Sequence, residues 1–563
     1  MKPPAVWGWV SLLLLALLAG LYFYLMRPNV AGLLYDDGMY LMTAKAMATG
    51  HGYRLMEIAG QPYFYKYPPL YPLCLALIWL LNPHFPANII WLKAFNVLVS
   101  LGVLSLLAYH FRRNLNFSPW VSFALVACLG LNWRFIEVST EMMSEPLFML
   151  LSVGALILAH GVHHSNKPLP KAHVFWLILL SAGSFYARSL GLTLIVALGL
   201  WLYLRGQRRI ALLYTLSCGL LILPWLIWSA SKPDTTYAIG DFLVRSFQET
   251  YFQSFKMDLQ YEYNLMALYG KGMQELLGNF SVQVFPLLEW FFRGKPTVFS
   301  ECLVMGLSFA GWFCLGTHAY QGAKAGKISP SAFYIGLYLF ILPGWSFFKV
   351  YPRLVVVLLP LLYAAMGQVL LAQPWAEQTK KRAVTALLAL ILSTNLIHLW
   401  PYLLKPVPNT LLINPYQNVW VDYQMTTAFL NAHTPNHARL YTDNNDESYF
   451  YGLHTHNILL DFFVYYPNAL FNQACPKQEA ACLQQPLRQQ AETLYLALQQ
   501  KQVQYIIYNR FAIVKNQYNN WTMGQKLFSP IKVLLQTHSH NFQPLMQTPD
   551  GWITVYRFHP AAI

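Results

Sequence analysis

The sequence is short of charge. Lys, Arg, Asp and Glu together make up 11% of its 563 residues, where soluble globular proteins carry roughly 25%, so a water-soluble globule of ordinary make-up is excluded. Acidic side chains are the scarcer kind, 23 against 38 Lys and Arg, for a net charge of +15. Such an excess prompts a nucleic-acid reading in a soluble chain. Here the basic residues sit in short clusters between apolar runs, where membrane topology accounts for them without nucleic acid. The chain also lacks a Walker-type loop, a Rossmann glycine fingerprint, zinc-ligand spacing and a GxSxG elbow, which removes the motif-borne nucleotide, dinucleotide, zinc and serine-hydrolase chemistries. No internal repeat of the kind transporters carry is visible.

What the chain has in excess is apolar residue, 56% of the whole. The first run, from about Val6 to Met26, is near the ~20 residues a helix needs to cross the hydrocarbon. It is longer than a signal-peptide core, so it reads as an uncleaved first span. Further runs lie near 88–109, 119–136, 143–160, 172–186, 189–204, 209–229, 297–317, 331–347, 354–373 and 383–401. Together they predict a polytopic α-helical membrane protein of about eleven transmembrane helices. Arg112 and Arg113, Lys167 and Lys171, Arg205 with Arg208 and Arg209, Lys324 and Lys327, and Lys380 with Lys381 and Arg382 all fall in alternate loops, which the positive-inside rule puts on the cytoplasmic side. Residues 68–83 are apolar over too short a length to cross and are read as interfacial or re-entrant, and so, more faintly, are 278–292.

This topology gives a transmembrane unit, 1–401, with an inside N-terminus and large external loops at about 27–87 and 230–296. Residues 402–563 are different material, polar and rich in Asn and Gln. They carry strand-type runs at 438–443, 503–509 and 552–558 and helical patterns in "VDYQMTTAFLNAH" and "LRQQAETLYLALQQ", which predict an extracytoplasmic α/β domain. Of seven cysteines, five lie in or beside membrane runs and read as small apolar residues. Cys475 and Cys482 lie in the external domain, as a short-loop disulfide or as two free thiols. His160, His163, His164 and His173 surround an inner loop with no cysteine or carboxylate joining them, and they read as a solvated loop.

Charged residues are nearly absent from mid-span and gather at the outer ends, where ionisable groups are functional candidates because burying them is costly. Two adjacent acids, Asp36 and Asp37, follow the first span. They form part of a series: "YDDGMYLMTAKAMATGHGY", "PYFYKYPPLYPLCLAL", "STEMMSEPLFMLL", "FYARSLGL" and "VYPRLVVVLLPLLY". In this order, over the region from the first span to about residue 370, the series resembles the polytopic glycosyltransferases of the C superfamily (GT-C). It is most similar to the branch holding the protein O-mannosyltransferases and the aminoarabinose transferase of lipid A.

The resemblance implies an inverting enzyme that moves a sugar from a polyprenyl-phosphate carrier to an extracytoplasmic acceptor, whether protein, lipid or glycan. It implies a bacterial inner membrane with the C-terminal domain in the periplasm. It implies Asp36 as the catalytic base with Asp37 as its partner. An acceptor hydroxyl loses its proton as the new bond forms, and a positioned carboxylate contributes ~10²–10⁴-fold to such a step. By the same resemblance Lys66, Arg188 and Arg353 contact the donor phosphate, whose developing charge calls for fixed cations. All three come out on the external face in the topology above. Glu145 resembles a second acidic position, which in some members positions the acceptor or helps hold a divalent metal, the one cofactor the resemblance admits. A helix-start carboxylate explains Glu145 nearly as well, and Glu141, a turn earlier, is the weaker candidate. The aminoarabinose branch has a glutamate before the lysine of its "KPP" motif. This chain has Tyr65 there and inserts Tyr67 after Lys66, so no metal ligands are assigned.

Two rival readings belong to other classes. A polytopic transporter or lipid flippase with external acids calls for mid-span charges and internal symmetry. A non-catalytic scaffold gives no reason for acids and bases from five segments to converge.

Overall fold

The computed structural model describes residues 6–26, 28, 31, 36–56, 61–162, 169–232, 237–239, 242–245, 250–261, 264–284, 316–317, 328–344, 351–404, 416–442, 458–460, 463–465, 480–509, 530–549, 551 and 553–560. The chain opens with α1 (Val6–Leu25), α2 (Asp36–Ala48), α3 (Leu70–Leu81), α4 (Ile89–Arg113), α5 (Pro119–Gly130) and α6 (Trp133–Thr140). It continues through α7 (Glu145–Gly161), α8 (Lys171–Ala187), α9 (Gly191–Leu204) and α10 (Arg208–Ala230). After strands β1 (Tyr237–Ile239) and β2 (Phe242–Arg245) come α11 (Tyr251–Tyr261) and α12 (Leu265–Val284), then the helices Pro330–Ile341, Tyr351–Val356, Leu359–Leu371 and Glu377–Leu404.

Among the described residues four helices are long and apolar enough to span a bilayer: Trp7–Leu25, Ile89–Arg113, Arg208–Ala230 and Glu377–Pro401. The run 119–136, expected as one crossing, is instead the pair α5 and α6, bent by 64° at Leu131 and Asn132. The cause is local. Asn132 caps α6 by accepting from the backbone N–H groups of Arg134 and Phe135, which starts a new helix where the old one stops. The expected spans at 143–160, 189–204, 331–347 and 354–373 are apolar helices of 10–17 residues, and that at 172–186 is the 17-residue α8. The span at 297–317, apart from 316 and 317, lies outside the described residues, as do Lys167, Lys324, Lys327, His163, His164 and Cys475. The helix α3 has 12 residues, about 18 Å at 1.5 Å per residue, too short to cross ~30 Å of hydrocarbon. Residues 278–284 of the other refused segment form the end of α12.

The helices enclose a continuous apolar core that runs from Leu18 and Tyr22 to Ile391 and Leu399. Their outer faces leave Trp9, Leu12, Leu17, Leu212, Leu220 and Leu390 exposed, an apolar belt that only lipid accommodates. The chain is an integral membrane protein.

The C-terminal region forms a five-stranded sheet in the order β4-β3-β6-β8-β7, built from β3 (Arg439–Thr442), β4 (Ile458–Leu460), β6 (Tyr505–Asn509), β7 (Phe542–Gln547) and β8 (Ile553–Phe558). Pairing of β3 with β4 and with β6 is parallel, and the other two pairings are antiparallel. The helix Ala480–Gln500 supplies Leu494 and Leu498 to its core, and Pro530–Thr537 supplies Ile531 and Leu534. The strands expected at 438–443, 503–509 and 552–558 thus fall on β3, β6 and β8. A second sheet joins the two parts of the chain. Strands β1 and β2, from the loop 230–296, pair antiparallel with each other, and β2 pairs with β5 (Phe463–Tyr465). Phe242 and Val244 of β2 enter the core of the C-terminal region beside Tyr441.

Candidate active site

The site is assembled from helix ends and breaks. Asp36 and Asp37 form the first turn of α2, where the positive end of the helix dipole favours carboxylates. Both are buried, Asp37 completely. Glu145, also fully buried, is the first residue of α7. Arg188 occupies the break between α8 and α9. Its backbone is extended, its N–H still bonds the Ser184 carbonyl at 2.9 Å, and its own carbonyl accepts from Gly191 N–H at 2.8 Å. Arg353 lies on the short helix Tyr351–Val356.

Four of these side chains form one ionic chain. Arg353 Nη2 lies 2.5 Å from Asp36 Oδ2, and its Nε lies 2.9 Å from Glu145 Oε1. Arg188 Nη1 approaches the same Glu145 oxygen at 2.7 Å and donates to Ser144 Oγ at 3.1 Å. The arginine side chains are only 14% and 11% exposed, so they are turned inward onto carboxylates and do not snorkel outward. The other Asp36 oxygen accepts a 2.6 Å hydrogen bond from Tyr67 Oη. Burial alone would raise the Asp36 carboxyl, but Arg353, then Arg188, the Tyr67 hydroxyl and Lys66 together hold it below its ordinary value. Lys66, half-buried in the 61–67 loop, therefore acts on the same carboxylate as the two arginines. Of the six residues expected from sequence, Asp36, Glu145, Arg188 and Arg353 are in mutual contact. Asp37 adjoins them in the chain, and Lys66 faces Asp36 electrostatically.

Other participants were given no role by the sequence. Tyr67 is fixed from behind, its carbonyl accepting from Tyr53 Oη at 3.0 Å and its ring 5.3 Å from that of Tyr40. Tyr40 Oη lies 2.9 Å from Ser144 Oγ, which links α2 to the start of α7. Glu141, the weaker candidate, is instead paired with Lys93 at 2.5 Å, both fully buried. Lys93 carries the one sequence signal that was available, a charge inside an apolar run.

A divalent metal fits poorly here. The Asp36 oxygens are taken by Arg353 and Tyr67, and Glu145 Oε1 by two guanidinium groups. The buried Glu145 Oε2 has no hydrogen-bond partner, but one carboxylate oxygen flanked by two guanidinium groups is a poor seat for a cation. Among the described residues no group of three or more His, Cys, Asp or Glu side chains is placed to hold an ion.

The arrangement joins a carboxylate able to accept a proton to a pair of guanidinium forks suited to a phosphate, in a partly dry setting. No family model and no curated protein matches the sequence. The fold does match solved structures. Archaeal oligosaccharyltransferase AglB from Archaeoglobus fulgidus, in complex with an inhibitory peptide and a dolichol-phosphate, is 10% identical at a TM-score of 0.53, over 99% of this chain and 75% of that one. ArnT from Cupriavidus metallidurans, bound to undecaprenyl phosphate, is 11% identical at 0.50, over 99% and 98%. At such identities the likeness is one of architecture: this chain shares the fold of these two structures.

Proposed function

We propose that the chain is an inverting glycosyltransferase that moves a sugar from a polyprenyl-phosphate carrier to an extracytoplasmic acceptor. The observation that carries the reading is the ionic chain Asp36, Arg353, Glu145, Arg188, drawn from four segments spread over more than 300 residues. In the reaction Asp36 takes the proton of the acceptor hydroxyl. The acceptor oxygen bonds the anomeric carbon from the face opposite the phosphate. The bond from that carbon to the phosphate oxygen breaks, and its electron pair leaves with the lipid phosphate, held by Arg353, Arg188 and Lys66. Asp37 and Glu145 shape the field around these groups.

The topology that goes with this reading has about eleven crossings, the acids and cations at the outer leaflet, and residues 402–563 outside, in the periplasm of a bacterial inner membrane. The bound undecaprenyl phosphate of ArnT and dolichol-phosphate of AglB support a lipid-phosphate donor. The acceptor peptide tethered to the Archaeoglobus fulgidus oligosaccharyltransferase in a further structure of this fold supports a peptide as one acceptor class. The testing experiment is mass analysis of polyprenyl-phosphate sugars and envelope glycans with the gene for this chain deleted. One lipid-linked sugar builds up and one glycan loses that sugar. An unchanged pool of lipid-linked sugars overturns the proposal.

A further inference from the structure

Resting on that reading, we infer that Asn96 and the buried Lys93–Glu141 pair are positioning residues: they fix the 138–143 backbone so that Ser144 and Glu145 present Arg188 and Arg353 to the donor phosphate.

The segment between α6 and α7 is a buried turn. Glu141 has extended backbone at the C-terminal end of α6, and Glu141, Met142, Met143, Ser144 and Glu145 are all essentially inaccessible. A helix end leaves carbonyls without intrahelical partners, and a buried one must find them elsewhere. The Glu141 carbonyl accepts from Met143 N–H at 2.9 Å, and one side chain, with its two N–H hydrogens shared among three carbonyls, supplies the rest. The amide nitrogen of Asn96, on α4, donates to the carbonyls of Glu141 at 2.6 Å, Met143 at 2.8 Å and Val138 at 3.2 Å. Its amide oxygen is used as well, accepting from Tyr71 Oη at 2.9 Å. One turn away on the same face of α4, Lys93 binds the Glu141 carboxylate. The turn is therefore held by its backbone and by its one charged side chain from a single neighbouring helix.

The path from this clamp to the phosphate groups is short. Met143 is followed directly by Ser144 and Glu145, so the last clamped carbonyl lies within about two Cα steps of 3.8 Å of both. Ser144 does not cap α7 with its hydroxyl. It serves Tyr40 and Arg188 instead, while Glu145 serves Arg188 and Arg353. The second arm returns through Tyr71, whose ring lies 4.8 Å from that of Tyr40. A turn that only ended a helix would need neither arm.

The test uses the full chain in lipid nanodiscs with undecaprenyl phosphate as the probe. Asn96→Leu weakens binding about tenfold or more, the loss expected when a charge-assisted hydrogen bond is misplaced. In an Arg188→Gln background the same substitution costs clearly less than in the parent, because only the share of its effect that runs through Arg353 remains. The paired change Lys93→Met with Glu141→Met preserves volume and removes both charges, which keeps the fold testable if Asn96→Leu does not fold. It too weakens binding while the melting temperature holds. Unchanged binding in these variants overturns the inference, as does a loss that is undiminished in the Arg188→Gln background. If the unaltered chain fails to bind the probe, the lipid-phosphate reading itself is the one that falls.

Discussion

Arg353 reaches Asp36 at 2.5 Å with one nitrogen and Glu145 at 2.9 Å with another. The cation assigned to the leaving phosphate thus occupies the carboxylate assigned to the acceptor proton. A carboxylate in that grip is a poor base, since the arginine favours its ionised form. A phosphate arriving at Arg353 competes with Asp36 for the guanidinium and raises the basicity of the acid it displaces. Donor first, acceptor second is the order this arrangement favours.

Replacing Arg353 by Met takes from Asp36 and Glu145 the guanidinium they share, leaving Asp36 its Tyr67 hydrogen bond and Glu145 its pair with Arg188. Breaking a buried pair from one side costs roughly 3–5 kcal/mol. Arg353→Met therefore lowers the unfolding temperature markedly and abolishes undecaprenyl phosphate binding in nanodiscs. A variant as stable as the parent with full affinity for the lipid would remove Arg353 from both roles.

Asp36→Asn separates binding from chemistry. The amide cannot take a proton, so transfer falls by about 10²–10⁴-fold. Arg353, relieved of its carboxylate, meets the lipid phosphate with less competition, and undecaprenyl phosphate binds as tightly as before or more tightly. Measuring both on one preparation decides the matter: full transfer, or weakened lipid binding, contradicts the assignment of Asp36 as base.

The acid side of the stability profile follows from the same contacts. Asp36 is held below its ordinary carboxyl value by Arg353 first, then Arg188, Tyr67 and Lys66, against the opposing effect of burial. A carboxyl depressed in the folded state contributes stability that is complete above its unfolded value and is lost as pH falls through the folded one. In the wild-type chain the loss sets in as pH falls to the ordinary aspartate value and is complete only below the folded one. In Lys66→Met the loss is complete at slightly higher pH, and in Arg188→Met at higher pH again, following the order of their influence. Melting temperatures across the acid range test this ranking, and coincident acid limbs for the three proteins would refute it.

How much of this was legible from sequence depended on where a residue sits in its run. Asp36, Glu145, Arg188 and Arg353 stand at the ends of apolar stretches, where a charge is conspicuous, and all four meet. Strands β3, β6 and β8 were legible because Val, Ile and Tyr cluster there. Asn96, Ser144 and Tyr40 were not, since a polar residue of that size in a helix is ordinary until its partners on other helices are known. The pairing of Lys93 with Glu141 was not legible either, although each stood out as a charge beside an apolar run: which charge offsets the cost of burying which is a tertiary fact. The break at Asn132 was legible in principle as a helix-capping residue, yet hydropathy alone reads through it, because α5 and α6 are both apolar enough to average into one span. The strands β1 and β2 escaped notice because three or four residues of alternating pattern carry little signal without the partner β5.

Gly191, in "FYARSLGL", gives a last prediction that depends on the turn that aims Arg188. A Cβ built on Gly191 lies 2.3 Å from the backbone nitrogen of Phe185 and 2.5 Å from the carbonyl carbon of Ser184. Backbone atoms of α8 cannot rotate aside as a side-chain tip does, so Gly191→Ala must separate the end of α8 from the start of α9. Overpacking of this kind costs typically about 1–3 kcal/mol. The strain falls on the residues between, including Arg188, whose carbonyl bonds the Gly191 N–H. Gly191→Ala therefore lowers the melting temperature and also weakens undecaprenyl phosphate binding. Gly219→Ala serves as the control, since a Cβ there meets nothing within 4 Å, and it leaves lipid binding intact. If Gly191→Ala binds the lipid as Gly219→Ala does, the turn bears no responsibility for where Arg188 points.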